Sequence, residues 1–318
     1  MQKLKLKVDQ KIQDFRLTED EIKQFHENGF IGPFTLYTED EIKEIYKEVR
    51  AQLFNRDYAP YETSIESALA NYDRHLDIDL LSQHICRKEI VERLEGILGK
   101  NILCWRSEFI PKRPGAEGTD WHQADTFSHA SGKPQLVWPS QDAEGGGCIN
   151  VWTAFTEATE ETGCMLFIPG TQNEAFYDES KGLNYDPEKN NNIIKGEVPR
   201  GFNGYDYREL QIDPNWRPDE SKAVPMVMKA GEFIIFRSKL LHASKPNTSK
   251  TKTRLAYVSR YVPANVKVYP DTEFVEEFGG AYSLDKYGVV EVVGNNLESS
   301  NKVKTKNNRG MVFNKPWN

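Results

Sequence analysis

At Asn101 the apolar rhythm of the chain changes, and that change limits the folds open to it. Before it, apolar residues recur at helical spacing; after it they fall in short runs separated by turn residues. The runs are Asn101–Ile110, Asp120–Phe127, Gln135–Trp138, Cys148–Thr156, Cys164–Ile168, Met226–Met228, Phe233–Arg237 and Arg254–Val262. Gly163, Pro169-Gly170, Lys229-Ala230-Gly231 and Lys245-Pro246-Asn247 punctuate them. Many short strands at fairly even spacing predict a sandwich or barrel. The class is therefore mainly β with flanking helices.

The helical part has clear starts and stops. Thr18-Glu19-Asp20-Glu21 and Thr38-Glu39-Asp40-Glu41 are capping boxes, in which hydroxyl and carboxylate satisfy each other's end of the first turn. The first helix runs to about His26 and stops near Gly29. The second carries Ile42, Ile45, Val49 and Leu53 on one face. A third spans Lys88 to Leu98, with Gly99 as its stop. We expect one domain over 1–318, with helices in 1–100 packed on a β core at about 101–270. A polar insert follows at about 172–219, and a C-terminal extension at 271–318, surface-lying beyond Asn295.

Charge narrows the function. With a net charge of −7 and a pI of about 5.6, and no basic block interleaved with aromatics, no nucleic-acid partner is expected. No apolar run reaches the ~18 residues of a membrane span, and Met1 to Lys11 has no signal-peptide core, so no membrane partner is expected. Cys86, Cys104, Cys148 and Cys164 have no CxxC spacing; the last three lie in apolar runs and read as buried thiols of a cytoplasmic protein.

Arg254, Ala256, Val258, Arg260 and Val262 share one face of an alternating strand. Two arginines on an otherwise apolar face each need an anion. One reading is a pair of buried Arg–carboxylate bridges; the other is recognition of a dicarboxylate by the planar guanidinium fork. Their Cα atoms stand roughly 20 Å apart on an extended strand, so both heads can flank one central site. Among six histidines, His26 and His84 read as structural and His75 as undecided. His122, His129 and His242 fall in the β region, where His122 and His242 form a possible metal pair.

His122-Gln123-Ala124, His242 and Arg254 resemble the iron and co-substrate motif of the phytanoyl-CoA dioxygenase-like Fe(II)/2-oxoglutarate oxygenases. Gly163-Cys164-Met165-Leu166-Phe167-Ile168-Pro169-Gly170-Thr171 resembles a turn of the same branch. Within it, Tyr72-Asp73-Arg74-His75-Leu76, Gly118-Thr119-Asp120-Trp121-His122-Gln123-Ala124-Asp125-Thr126-Phe127, Val151-Trp152-Thr153-Ala154-Phe155-Thr156 and Ser259-Arg260-Tyr261-Val262-Pro263 are similar to the aminoacyl halogenases. Those belong to the syringomycin, cytotrienin and barbamide pathways.

The resemblance implies a double-stranded β-helix (jelly-roll, cupin-like) core. It implies Fe(II) on His122 and His242, 2-oxoglutarate, chloride and O2. Such enzymes ordinarily complete a facial triad with an acid two residues after the first histidine. Here that position is Ala124, a vacancy a chloride can occupy. Asp125 could refill it only if the strand were irregular, because on a regular strand it faces away from His122. By the same resemblance Arg254, with Thr119 and Trp152, takes the far carboxylate of 2-oxoglutarate. Arg260, His129 and Asn150 surround the halide, although His129 and Asn150 replace the Asn and Thr of the syringomycin-type enzyme. Glu108, Ile110 and Phe127 line the substrate pocket; Glu108 reads equally as a buried partner of Arg106 or Arg260.

The implied reaction is chlorination of an unactivated aliphatic carbon of an amino acid tethered to a phosphopantetheinylated carrier protein, with 2-oxoglutarate going to succinate and CO2. Ile110, where the threonine-acting relative has an aromatic, leaves room for a larger side chain such as leucine. A hydroxylase of a similar tethered substrate is the alternative, and a non-catalytic barrel a third reading.

Overall fold

A computed structural model describes residues 14–139, 147–186, 200–201 and 204–315. The charged N-terminus Met1 to Lys11 and the middle of the polar insert lie outside the described residues. Helices α1 (Glu19–Asn28), α2 (Glu39–Leu53), α3 (Asp79–His84) and α4 (Lys88–Leu98) precede most of the strands. Both capping boxes form, Thr18 and Thr38 each accepting the amide three residues on and Glu21 and Glu41 reaching back. Gly29 closes α1 in the left-handed conformation at φ 80°.

The strands are β1 (Phe30–Thr35), β2 (Ile102–Lys112), β3 (Gly118–His122), β4 (Leu136–Val137), β5 (Ile149–Ala154), β6 (Met165–Phe167), β7 (Arg200–Gly201), β8 (Val224–Met226) and β9 (Glu232–Arg237). They continue with β10 (His242–Ser244), β11 (Arg254–Pro263), β12 (Lys267–Val268), β13 (Phe274–Glu277), β14 (Gly280–Ser283) and β15 (Val290–Val293). Among the described residues a six-stranded sheet runs β1-β9-β5-β11-β2-β15 and a five-stranded sheet runs β7-β3-β10-β6-β8. The two sheets form the expected double-stranded β-helix core. The central strands β2, β5 and β11 are buried along almost their whole length, which is why they read as long apolar runs.

Three features depart from the sequence-based expectation. The sheet reaches beyond 101–270, since β1 and β15 are its edges. The C-terminal segment does not merely lie on the surface. β15 pairs with β2, Phe313 is buried, and the Asn307 side chain bonds Asp79 and Ser82. The polar insert contributes Tyr177, Leu183, Tyr205, Tyr207 and Leu210 to an apolar cluster with Trp121 and Leu241. Among the described residues no helix is long and apolar enough to cross a membrane.

Candidate active site

The two sheets face each other across the proposed ligands. His122 ends β3 and His242 begins β10, and the two are Cα partners in the smaller sheet. Their ring centroids stand 4.0 Å apart. His122 Nδ1 donates to the Asp120 carbonyl at 2.7 Å, and His242 Nδ1 to the Leu240 carbonyl at 2.6 Å. A carbonyl only accepts, so each proton is fixed on Nδ1 and each lone pair on Nε2. This is how metal-binding imidazoles are oriented. Burial, and for His122 the nearby His242, holds its proton affinity well below the ordinary range; burial brings His242 to about 4. Both rings are neutral at pH 7, the form that binds metal.

The strand expected over Asp120–Phe127 stops at His122. Residues 123–127 form a loop, and Phe127 takes a positive φ of 56°. Strand parity therefore does not decide where Asp125 points. Its carboxylate instead faces Lys239, at 3.6 Å. It lines neither cavity of the site. Among the described residues no three His, Cys, Asp or Glu side chains converge on one point. Ala124 is buried and tied at both ends to Ser238, its N–H donating to the Ser238 carbonyl (2.9 Å) and its carbonyl accepting the Ser238 hydroxyl (2.6 Å).

Two cavities meet at the histidines. A cavity of about 740 Å³ runs from them past Ile110, Thr119, Trp152 and Arg254 toward residues 115–118 and 246–248. A second, of about 60 Å³, lies against Ala124, Phe127 and His129. That volume suits a small ion or a few waters, since roughly 10–15 Å³ of such space holds one water. His122, His242, Glu108, Asn150 and Arg260 line both.

The arginines reach this site from β11, in the larger sheet. Arg254 is buried with Nε lacking a hydrogen-bond partner among the described residues; Nη1 reaches only the Ile110 carbonyl, at 3.3 Å. The guanidinium lies 5.3 Å from the Trp152 ring centroid, and the Trp152 indole N–H is also buried without a partner there. Burial pushes the Arg254 guanidinium down to about 10, so it stays a cation at neutral pH. Arg260 differs: it donates to Glu108 at 2.8 Å, with its Nε and Nη1 buried and unpaired among the described residues. Glu108 is thus the buried partner of Arg260 and a cavity residue at once. Arg106 takes Glu277 instead, at 2.8 Å.

Thr119 bonds Ser244 through both its amide and its hydroxyl. Asn150 is the Cα partner of Arg260 across β5 and β11. His129 lies 3.9 Å from Glu179, and burial lowers its proton affinity to about 4. Phe127 packs edge-on against Trp105 with centroids 5.0 Å apart.

Sequence reasoning passed over Lys112, Glu179 and Ser238. Lys112 is buried and donates to the Ser244 hydroxyl and to two carbonyls beside the larger cavity. A lysine ending an apolar strand was the available signal. Tyr207, from the insert, packs at a tilt with its ring centroid 5.1 Å from that of His122 and donates to the Gln123 carbonyl.

The sequence model described as phytanoyl-CoA dioxygenase matches residues 25–256. The chain is 29% identical over 168 residues to phytanoyl-CoA dioxygenase domain-containing protein 1 of Danio rerio. That alignment covers 52% of this chain and 45%, less than half, of that protein. It is 21% identical over 253 residues to 2-aminoethylphosphonate dioxygenase of Uncultured bacterium HF130_AEPn_1, covering 76% of this chain and 80% of the relative. Among solved structures it is similar to CytC3 with Fe(II) and alpha-ketoglutarate, with a TM-score of 0.74 and 38% identity over 95% of this chain and 98% of that one.

Proposed function

The chain belongs to the phytanoyl-CoA dioxygenase family, and from that premise we propose that it is an Fe(II)/2-oxoglutarate-dependent halogenase. Its substrate is an amino acid held as a thioester on a phosphopantetheinylated carrier protein, chlorinated at an unactivated aliphatic carbon. Threonine, aminobutyrate, valine and leucine are the substrate class, with the short Ile110 favouring the larger side chains. The buried free thiols fit a cytoplasmic setting.

The residues present fit the cofactor. His122 and His242 would hold Fe(II) through nitrogens already oriented by backbone carbonyls. Arg254 would take the far carboxylate of 2-oxoglutarate, because its desolvated guanidinium has no acidic partner among the described residues. When bound, iron, 2-oxoglutarate and O2 supply the oxidising power for C–H cleavage, at the expense of 2-oxoglutarate going to succinate and CO2.

The observation that carries the halogenase reading is Ala124. It borders the small cavity beside both histidines, where a carboxylate would complete a triad. Chloride there would supply the missing negative charge. Arg260 lines that space beside Asn150 and His129, and two of its guanidinium nitrogens have no partner among the described residues. Glu108, Ile110 and Phe127 border the room left for substrate. The tether would place the target carbon by proximity rather than by affinity.

Product mass tests the reading: with Fe(II), 2-oxoglutarate, chloride and a panel of aminoacyl carriers, replacement of hydrogen by chlorine is expected. Gain of oxygen alone at every chloride concentration overturns it. Ala124→Asp is expected to abolish chlorination while the fold and iron binding persist.

A further inference from the structure

We propose that Glu179 and Lys239 are positioning residues that keep the Asp125 carboxylate out of the metal pocket and so preserve the vacancy at Ala124. The inference rests on the halogenase reading. An acid one residue from the vacancy is a ready replacement for the missing ligand, since neighbouring Cα atoms are only ~3.8 Å apart. The strand has ended by then, so no pleat holds Asp125 on the far side. Specific contacts have to do it.

Two sets of contacts converge on this loop. Glu179 comes from the polar insert, in the short turn Glu179–Lys181. One of its oxygens, Oε2, accepts the Asp125 amide (3.2 Å), the Thr126 amide (2.8 Å) and the Thr126 hydroxyl (3.0 Å). The carboxyl is buried, and burial raises it to about 7. A buried acid spent on two successive backbone amides fixes the course of those residues. From the other side, Lys239 Nζ faces Asp125 Oδ2 at 3.6 Å, and the Lys239 carbonyl accepts the Gln123 side-chain amide at 2.7 Å. The Glu179 carboxylate also repels that of Asp125, favouring its turn toward Lys239.

Chloride titration of the full-length protein loaded with Fe(II) and 2-oxoglutarate under argon, followed by the shift of the charge-transfer band, tests the idea. Glu179→Ala and Lys239→Ala are each expected to weaken chloride binding about tenfold or more, because a tethered carboxylate competes at high effective concentration. Asp125→Asn alone leaves the affinity unchanged and restores it when added to either variant. Glu179→Gln, which keeps the accepting oxygen, stays near wild type. In the metal-free protein, Glu179→Ala speeds hydrogen exchange at the Asp125 and Thr126 amides. A merely structural role would not be rescued by Asp125→Asn. Unchanged chloride affinity in Lys239→Ala, or a loss that Asp125→Asn does not repair, overturns the inference, and Lys239→Ala decides the matter should Glu179→Ala not fold. A wild-type protein that binds no chloride overturns the halogenase reading itself.

Discussion

Two positions of β11, Arg254 and Arg260, carry the same side chain in opposite circumstances. Arg254 is buried with an aromatic ring beside it and no acid among the described residues. Arg260, six positions along, is partly buried with Glu108 at 2.8 Å. A desolvated charge without a partner is costly, so Arg254 is a place where the protein waits for an anion from outside. At Arg260 the cost is already offset by Glu108, with Nε and Nη1 left without a partner among the described residues. On the proposed function, the strand would separate a strong site for a dianion from a weaker site for a small anion.

Removing the stronger site should have the largest effect. Arg254→Met is expected to weaken 2-oxoglutarate binding about 30- to 1000-fold, the range for taking one partner from a buried charge pair. Isothermal titration with Fe(II) present measures it; a change under threefold would make the two sites equivalent and break the comparison. Arg260→Met should weaken chloride about tenfold with 2-oxoglutarate affinity nearly intact. It should also lower stability by about 3 kcal/mol, since Glu108 is left buried and unpaired, and urea unfolding would show this. Glu108→Gln works the other way. It removes the neutralising charge from Arg260, and chloride should bind a few-fold tighter by anaerobic titration.

A further expected effect is a pH dependence that comes from Glu179. Glu179 is raised from 4.5 to about 7 by burial, so the folded chain holds its proton more tightly than the unfolded chain. Its contribution is most favourable below about pH 4.5 and is lost as pH rises through about 7. Glu179→Gln removes that slope, and the difference in unfolding free energy between the two proteins should change by roughly 1–3 kcal/mol across the window. Equal slopes in the two proteins would show that this carboxyl is not strained by burial.

Much of the frame was legible because it depends on local rules. Thr18, Glu21, Thr38 and Glu41 announced their helices, and the alternation from Arg254 to Val262 announced the strand that carries both arginines. What stayed hidden depends on distant partners. β10 is three residues long, too short for a period, and is a strand only because β3 and β6 flank it. β15 becomes an edge by pairing with a strand nearly two hundred residues earlier. The alternation rule also failed where it mattered most, at residues 123–127. There Gln123 bonds the carbonyls of Thr171, Glu174 and Lys239, and these pull the chain out of the pleat. The pairing of Glu108 with Arg260 was one of two readings open to sequence, and only the β2–β11 register brings them together.

The histidine protons have a consequence for how the proposed metal centre would be filled. Each ring is anchored to a carbonyl two residues upstream on its own chain, Asp120 for one and Leu240 for the other. The loss of rotamer freedom that a ligand usually suffers on capturing a metal has here been absorbed during folding. The jaws are therefore set before the ion arrives. Metal uptake should be governed by desolvation of the ion rather than by side-chain rearrangement, and the imidazole signals of the metal-free protein should already be those of two fixed Nδ1–H tautomers.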